Sequence, residues 1–133
     1  MTVREFVGTL YVGDRGCKAF HLEAWDGSVR VVVDCISRVR DPSGIWGYYT
    51  DEDITDGSIV FTGVDRIELQ NDGWIPNDLI NSIDVIQDGE VSVVELSIDS
   101  VRANAARKET RLRIACTSIH LEDPKRPGVK ITA

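Results

Sequence analysis

Basic side chains are almost missing from the middle of this chain of 133 residues. Residues 41–90 contain twelve carboxylates and one opposing charge, Arg66, so the formal net charge of −7 is the sum of +1, −11 and +3 over three successive segments. This acidic segment creates a local negative field that attracts a cation or a basic partner. It argues against nucleic acid as a partner, because phosphate binding needs clustered Lys and Arg. The one cationic cluster, which we expect to meet the acidic segment of the same or a neighbouring molecule, consists of Arg102, Arg107, Lys108, Arg111 and Arg113.

Long hydrophobic runs and a regular set of cysteines are also missing. The longest aliphatic stretch is residues 31–33, which is far shorter than a membrane span. The N-terminus has no cationic start followed by an apolar stretch, which argues against a secretory signal. Three widely spaced cysteines, Cys17, Cys35 and Cys116, predict reduced thiols instead of a disulfide framework. We therefore expect a cytoplasmic protein that does not associate with membranes.

No catalytic or cofactor motif is present. His21 and His120 lie in no arrangement with Ser or Cys that indicates nucleophilic catalysis, so solvated or edge-packed histidines are expected. The scattered Cys and His residues exclude a zinc site with closely spaced ligands. Residues 51–57 are rich in oxygen ligands, but glycine stands at position seven of a calcium loop instead of six, and Thr62 occupies the position of its final Glu. Adventitious calcium binding is the only alternative left for this segment. The sequence predicts no catalytic residue, no metal and no cofactor.

Alternating apolar residues predict strands along the chain. The clearest alternation covers residues 28–39, where apolar and charged side chains occupy opposite faces. Asp26-Gly27 and Asp88-Gly89 suit tight hairpin turns, because both residues tolerate positive φ angles. Asp56-Gly57 and Asp72-Gly73 are predicted to bracket another strand, residues 58–69, with a bulge at Gly63 where the alternation changes phase.

We predict an all-β fold in a single domain, residues 1–133, with about eight mostly antiparallel strands. Strands near residues 3–12 and 129–132 complete the set, and the hairpin spacing favours a meander, a sandwich or a partly open barrel. At most one short helix is expected, and for its candidate, residues 101–108, a polar loop is an equal alternative. The expected core includes Val31, Val33, Cys35, Leu96, Ile98, Leu112 and Ile114.

Two connections are longer than a hairpin needs, residues 41–57 and 70–78, and both lie in the acidic segment. Long irregular loops are often functional. Aromatic side chains supply most of the affinity of an interface, whereas surrounding charges speed and orient encounter. The alternative is that the aromatic rings fold back onto the sheet, which for Trp74 is an equal expectation. The candidate partner-binding residues are Trp46, Tyr48, Tyr49, Asp51, Glu52, Asp53, Asp56, Asp72 and Trp74.

Three segments of the chain, residues 58–69, 81–86 and 113–119, carry a family resemblance. Their sequences are SIVFTGVDRIEL, NSIDVI and RIACTSI. The chain resembles, mainly over residues 58–121, small bacterial β-rich proteins of unassigned function, some of which are encoded as immunity proteins of polymorphic toxin systems. The resemblance lies in strand patterning without a catalytic motif, so it transfers no functional residues. It implies a cytoplasmic, non-enzymatic protein that neutralises a partner by binding.

Two functional hypotheses follow from these features. The first is a non-enzymatic protein-binding module of the immunity-inhibitor type, which binds a basic protein through an acidic, aromatic-bearing surface. Edge strands would also permit self-association. The second is an enzyme or small-ligand carrier that uses a cavity of the β fold. A deep pocket lined by His21, Cys35 or Cys116 would favour the second.

Overall fold

The computed structural model describes all 133 residues, and they form nine strands and one short helix. The elements are α1 (Val3–Val7), β1 (Leu10–Tyr11), β2 (Arg15–Glu23), β3 (Ser28–Arg38), β4 (Ile54–Thr62), β5 (Arg66–Gln70), β6 (Leu79–Gln87), β7 (Ser92–Val101), β8 (Arg107–Cys116) and β9 (Ser118–Glu122). All strand pairs are antiparallel, in the order β5-β8-β7-β6-β2-β3-β4-β9, with β1 beside β3. The sheet does not close into a barrel. The all-β prediction with at most one short helix is confirmed, and α1 is far too short to cross a membrane.

The sheet has two halves that share one core. β2 and β6 pair only at Arg15–Ile80 and Gly16–Leu79, and no further pairing joins them. The first half therefore holds β2, β3, β4 and β9, and the second half holds β5, β6, β7 and β8. Side chains of both halves meet in a single cluster of 22 buried apolar residues, which also includes Phe6 of α1. Removal of this surface from water is the main favourable contribution to folding.

The chain also passes between the halves at a bend. β4 pairs with β9 in the first half, β5 pairs with β8 in the second, and the two crossings lie side by side at residues 63–65 and at Thr117. Gly63 has a φ of +60°, and a Cβ atom there would lie only 2.0 Å from Oγ1 of Thr117. Strands that switch between packed sheets need such bends. The prediction of one continuous strand over residues 58–69 is therefore wrong. The chain forms two strands there, β4 and β5, and Gly63 lies in the bend between them instead of in a bulge.

The alternation of buried and exposed residues also changes phase within the paired strands β3 and β4. Asp56 has a φ of 54° within β4, so the predicted turn at Asp56-Gly57 is wrong. Ile54 and Ile36 fill the space beside the bare Gly57, where a Cβ would lie 2.8 Å and 2.9 Å from their methyl carbons. Ile36 is therefore buried in place of Cys35, which is half-exposed and for which the core prediction is wrong. The other six predicted core residues are fully buried.

The strand predicted near residues 3–12 is present only at Leu10–Tyr11, and Val3–Val7 form a helix instead. Thr2 and Glu5 form a capping box, in which Thr2 Oγ1 accepts from the Glu5 amide at 3.0 Å and Glu5 Oε2 accepts from the Thr2 amide at 2.8 Å. The i, i+3, i+4 spacing places Val3, Phe6 and Val7 on the buried face of α1.

Two further expectations about secondary structure are corrected. Residues 102–106 form a hairpin turn between β7 and β8, with Ala105 at a φ of 64°, so the helix candidate at 101–108 is wrong. The predicted C-terminal strand is reduced to one bridge between Leu121 and Ile131. No helix forms at residues 101–108 because ten residue pairs join β7 to β8, and Val101, Arg107 and Lys108 take part in this pairing.

Val33→Asp should prevent folding, because Val33 is fully buried and an unpaired charge in the core is among the costliest substitutions. A loss of several kcal/mol is comparable to the whole net stability of a small domain, about 5–15 kcal/mol. Val32→Asp is the matched control, because Val32 is half-exposed. Circular dichroism and thermal unfolding measure both variants. A soluble Val33→Asp protein with an unchanged melting temperature would contradict the core assignment.

Gly63→Ala should destabilise the protein by about 2 kcal/mol or more, because the new Cβ strains a left-handed backbone and overlaps Thr117. Gly47→Ala is the control, since no atom lies within 4 Å of a Cβ at Gly47. Urea unfolding of each variant gives the comparison. Equal stabilities of the two variants would show that the bend tolerates a side chain.

Candidate functional site

The longest irregular connection runs from β3 to β4, and we call its residues 41–53 the acidic loop. The ring of Trp46 stacks on Tyr11 with the centroids 4.6 Å apart and the planes at 11°. Tyr49 meets Trp46 edge-on, with the centroids 5.1 Å apart. The guanidinium carbon of Arg15 lies 5.3 Å from the Tyr11 centroid, 5.4 Å from that of Trp46 and 5.2 Å from that of Tyr49. These three rings form an aromatic cage around one cation.

The caged arginine is buried without an acidic partner. Arg15 is only 8% exposed, and its guanidinium donates to the Cys35 carbonyl at 3.2 Å and to Ser37 Oγ at 3.1 Å. A buried charge is costly unless other groups stabilise it. A cation over an aromatic ring gains about 2 kcal/mol or more where water is excluded, and Arg15 has three such rings. The cage therefore ties the acidic loop to β2 and β3.

The predicted aromatic residues of the acidic loop divide into an anchor and an exposed pair. Trp46 is half-buried, and its indole Nε1 is buried without a hydrogen-bond acceptor. Tyr48 is 76% exposed and Tyr49 is 65% exposed, and Ile45 beside them is exposed as well. Trp46 thus positions the loop and Tyr48 presents apolar area to the outside, whereas Tyr49 does both because it also belongs to the aromatic cage.

Two of the predicted carboxylates in residues 41–57 are already paired within the chain. Arg40 binds Glu52 through two hydrogen bonds, from Nη2 to Oε1 at 2.6 Å and from Nε to Oε2 at 3.0 Å. These bonds hold the pKa of Glu52 below its ordinary value. Lys18 binds Asp56 at 2.6 Å. A partner would have to replace these cations to use either carboxylate.

Three carboxylates of the acidic loop form no ion pair. Asp51 is exposed. Asp53 is half-buried, and its Oδ1 is buried without a hydrogen-bond partner. Asp41 Oδ1 accepts from the Ser43 amide at 2.8 Å, which lowers the pKa of Asp41 and keeps it ionised. The free negative charge of the loop therefore comes from Asp41, Asp51 and Asp53.

The second predicted loop, around Trp74, folds back onto the β7–β8 hairpin. Arg102 lies 3.9 Å above the half-buried ring of Trp74, and Lys108 binds Asp72 and lowers its pKa. Asn71 is buried and donates to Thr110 Oγ1 at 2.6 Å. No hydrogen bond, ion pair or ring contact joins residues 70–78 to residues 41–57. The structure does not bring Asp72 and Trp74 together with the other candidates.

Part of the acidic segment is neutralised by the cationic cluster of the same molecule. Arg107 binds Asp78 at 3.0 Å and Asp99 at 2.7 Å, and Lys108 binds Asp72. Five of the twelve carboxylates in residues 41–90 form ion pairs, those of Glu52, Asp56, Asp72, Asp78 and Asp88. The other seven keep their charge unpaired, and three of these seven belong to the acidic loop.

The surface clefts do not involve the residues named for an enzyme or carrier. The largest cleft, about 610 Å³, lies between α1 and the β8–β9 bend, and none of the five main clefts is lined by His21, Cys35 or Cys116. His21 is exposed, and His120 packs on the edge strand β9 within 3.1 Å of Glu122. No group of three or more His, Cys, Asp or Glu side chains is placed to hold a metal ion.

Sequence reasoning missed Tyr11 and Arg15, the residues that hold the acidic loop. The sequence did contain one signal for Arg15. Alternate residues of a strand share a face, so Arg15 lies on the same face as Cys17, and both are buried. A cation at a core-facing position of a strand requires partners, yet alternation alone does not identify three aromatic rings from two other segments as those partners.

Comparison with known proteins assigns the chain to a family. A family model described as "Family of unknown function (DUF6258)" matches residues 1–133, so the chain belongs to this family. No curated protein and no solved structure matches the chain. The assignment agrees with the expected resemblance to proteins of unassigned function and includes the first forty residues. It does not extend to an immunity role.

Alkylation by iodoacetamide at pH 8 should reach Cys35 first. Burial raises the pKa of Cys17 and of Cys116 to about 11, and the thiolate is the reactive species. At three pH units below the pKa about 0.1% of such a thiol is ionised. Mass spectrometry of the native protein should find Cys35 modified and the other two protected until guanidinium is added. Rapid labelling of Cys17 or Cys116 in the native state would contradict this.

Proposed function

We propose that this member of the DUF6258 family is a non-enzymatic protein-binding module that binds a basic protein partner through its acidic loop. The observation that carries the proposal is the exposure of Tyr48 and Tyr49 in the same loop as the unpaired carboxylates of Asp41, Asp51 and Asp53. Tyrosine supplies a large contact area at low entropic cost because it has only two side-chain torsions. The unpaired charges would speed encounter with a basic surface.

Within the acidic loop, the predicted residues have different roles in this proposal. Tyr48, Tyr49 and Asp51 are the contact residues, because each is exposed and none is held by an ion pair. Trp46 supports them from within the aromatic cage. Glu52 contributes less, because Arg40 already neutralises it.

The remaining predicted residues lie outside the contact surface that we propose. Asp56 is paired with Lys18, and Asp72 is paired with Lys108. Trp74 is stacked under Arg102, so its ring already has a cationic partner. We therefore narrow the binding surface from two loops to one.

An inhibitor of the immunity type is the form of this module that we favour. A toxin that acts on nucleic acid must present clustered Lys and Arg. An acidic loop with exposed aromatic rings complements such a surface and would block it. The three free cysteines are compatible with a reducing compartment, and we place the complex in the cytoplasm. Self-association through the edge strand β5 is a competing mode of binding that would not use the acidic loop.

Tyr48→Ala and Tyr49→Ala should each weaken binding about thirtyfold or more, which corresponds to the 2 kcal/mol of an interface hot spot. Asp51→Asn should slow association and reduce its dependence on salt. The probe is the purified product of the gene beside this protein's own gene, if that product is basic, and the measurement is surface plasmon resonance at low and physiological ionic strength, which gives both the association rate and the affinity. Glu90→Gln is the control, because Glu90 is an exposed, unpaired carboxylate outside the acidic loop.

Thermal unfolding of each variant separates binding from folding. Unchanged affinity in all three loop variants, or binding that is indifferent to salt, would remove the acidic loop as a binding surface. An affinity loss in Glu90→Gln as large as that in Asp51→Asn would assign the effect to overall charge.

A further inference from the structure

The centre of the acidic loop is held without hydrogen bonds. At the start of the loop the Gly44 amide donates to the Asp41 carbonyl at 3.0 Å, and at its end the Asp53 amide donates to the Thr50 carbonyl at 3.2 Å. Between them, residues 46–49 neither donate nor accept any hydrogen bond in the protein. The specific contacts of this stretch are those of the Trp46 and Tyr49 rings.

We infer that Arg15 is a positioning residue that holds the acidic loop in its binding shape from inside the aromatic cage. The cage joins the rings of Trp46 and Tyr49 in the loop with Tyr11 of β1, and the cation stands within 5.4 Å of all three centroids. Removal of the cation would leave Trp46 with one stacked neighbour and one edge contact. The consequence for binding rests on the function proposed above.

The cation is fixed by the rigid part of the sheet. The main chain of Arg15 pairs with Ile80 at the only place where β2 meets β6. Its side chain donates to the Cys35 carbonyl and to Ser37 Oγ, both in β3. The main chain of Arg15 is therefore held by β6 and its guanidinium by β3, and the fixed guanidinium lies against the ring of Tyr49.

Arg38 is a matched residue without this role. It is also buried and also forms no ion pair. Burial lowers the pKa of Arg38, and the charge of Glu52 in the acidic loop acts on it from a distance and opposes that shift. It donates to the Thr9 carbonyl and to Thr9 Oγ1, and it lies 5.6 Å from the ring of Phe6. It forms no hydrogen bond or ring contact with residues 41–53. A substitution at Arg38 removes a buried arginine and leaves the aromatic cage intact.

The first test measures backbone order in the free protein by ¹⁵N relaxation. Residues 46–49 of the wild type should be rigid, with order parameters of about 0.85, and these order parameters should fall below about 0.6 in Arg15→Met. Methionine keeps the unbranched apolar stem of Arg15 but lacks the guanidinium, so this loss reports on the guanidinium, its charge and its two hydrogen bonds together. Arg15→Lys keeps the charge without the planar guanidinium and should restore part of the order. Arg38→Met should lower the unfolding temperature and leave residues 46–49 rigid.

Three results would overturn the positioning role. They are equal rigidity of residues 46–49 in Arg15→Met and the wild type, mobility of these residues already in the wild type, and an equal loss of order in Arg38→Met. If Arg15→Met does not fold, Arg15→Lys and Trp46→Leu provide the same comparison. Trp46→Leu removes the central ring of the cage and should free residues 47–49, and unchanged order there would also overturn the proposal.

The second test measures affinity for the basic partner and separates this inference from the proposed function. A loop freed in Arg15→Met together with a tenfold loss of affinity supports both, because binding would then have to order the loop. A freed loop with unchanged affinity supports the positioning role and refutes the acidic loop as the binding surface. A loop that stays rigid refutes the positioning role, whatever the affinity.

Discussion

The close contact between Gly63 and Thr117 is the constraint on which the rest of the structure depends. At this point both β4–β5 and β8–β9 leave one half of the sheet and enter the other. Since Gly63 has no side chain, the side chain of Thr117 fits between the two crossings, the strands can bend sharply, and the sheet folds back onto its own apolar face. The single core follows from that bend, because neither half alone could cover its buried row of side chains.

The second point of contact between the halves explains how a surface loop is held. β2 and β6 meet at only two residue pairs, and one of them includes Arg15. The same residue sends its guanidinium between β3 and the acidic loop. A buried carboxylate in that place would have neutralised the cation, whereas aromatic rings stabilise it and add no negative charge. The sheet junction and the candidate binding surface thus share one side chain.

The fold divides the carboxylates of the acidic segment into those that form ion pairs and those that do not. Hairpin β7–β8 places Arg107 and Lys108 beside Asp78 and Asp72, so the loop around Trp74 is held by cations of the same chain. The acidic loop receives only Arg40, on Glu52, and keeps three free carboxylates. A charge count treats all twelve carboxylates of the segment alike. The ion pairs distinguish those that stabilise the fold from those available to a partner.

Local patterns in the sequence by themselves determined the all-β class, the alternating core positions such as Val31 and Val33, and the turn at Asp26-Gly27, because alternation and turn chemistry involve only neighbouring residues. The helix α1 was also within reach, through the Thr2–Glu5 capping box and its apolar spacing. Only the tertiary structure decided that Asp56 lies inside a strand, that Ile36 replaces Cys35 in the core, and that Arg15 and Tyr11 hold Trp46 and Tyr49. These outcomes depend on contacts between segments that lie far apart in the chain, and local spacing does not encode them.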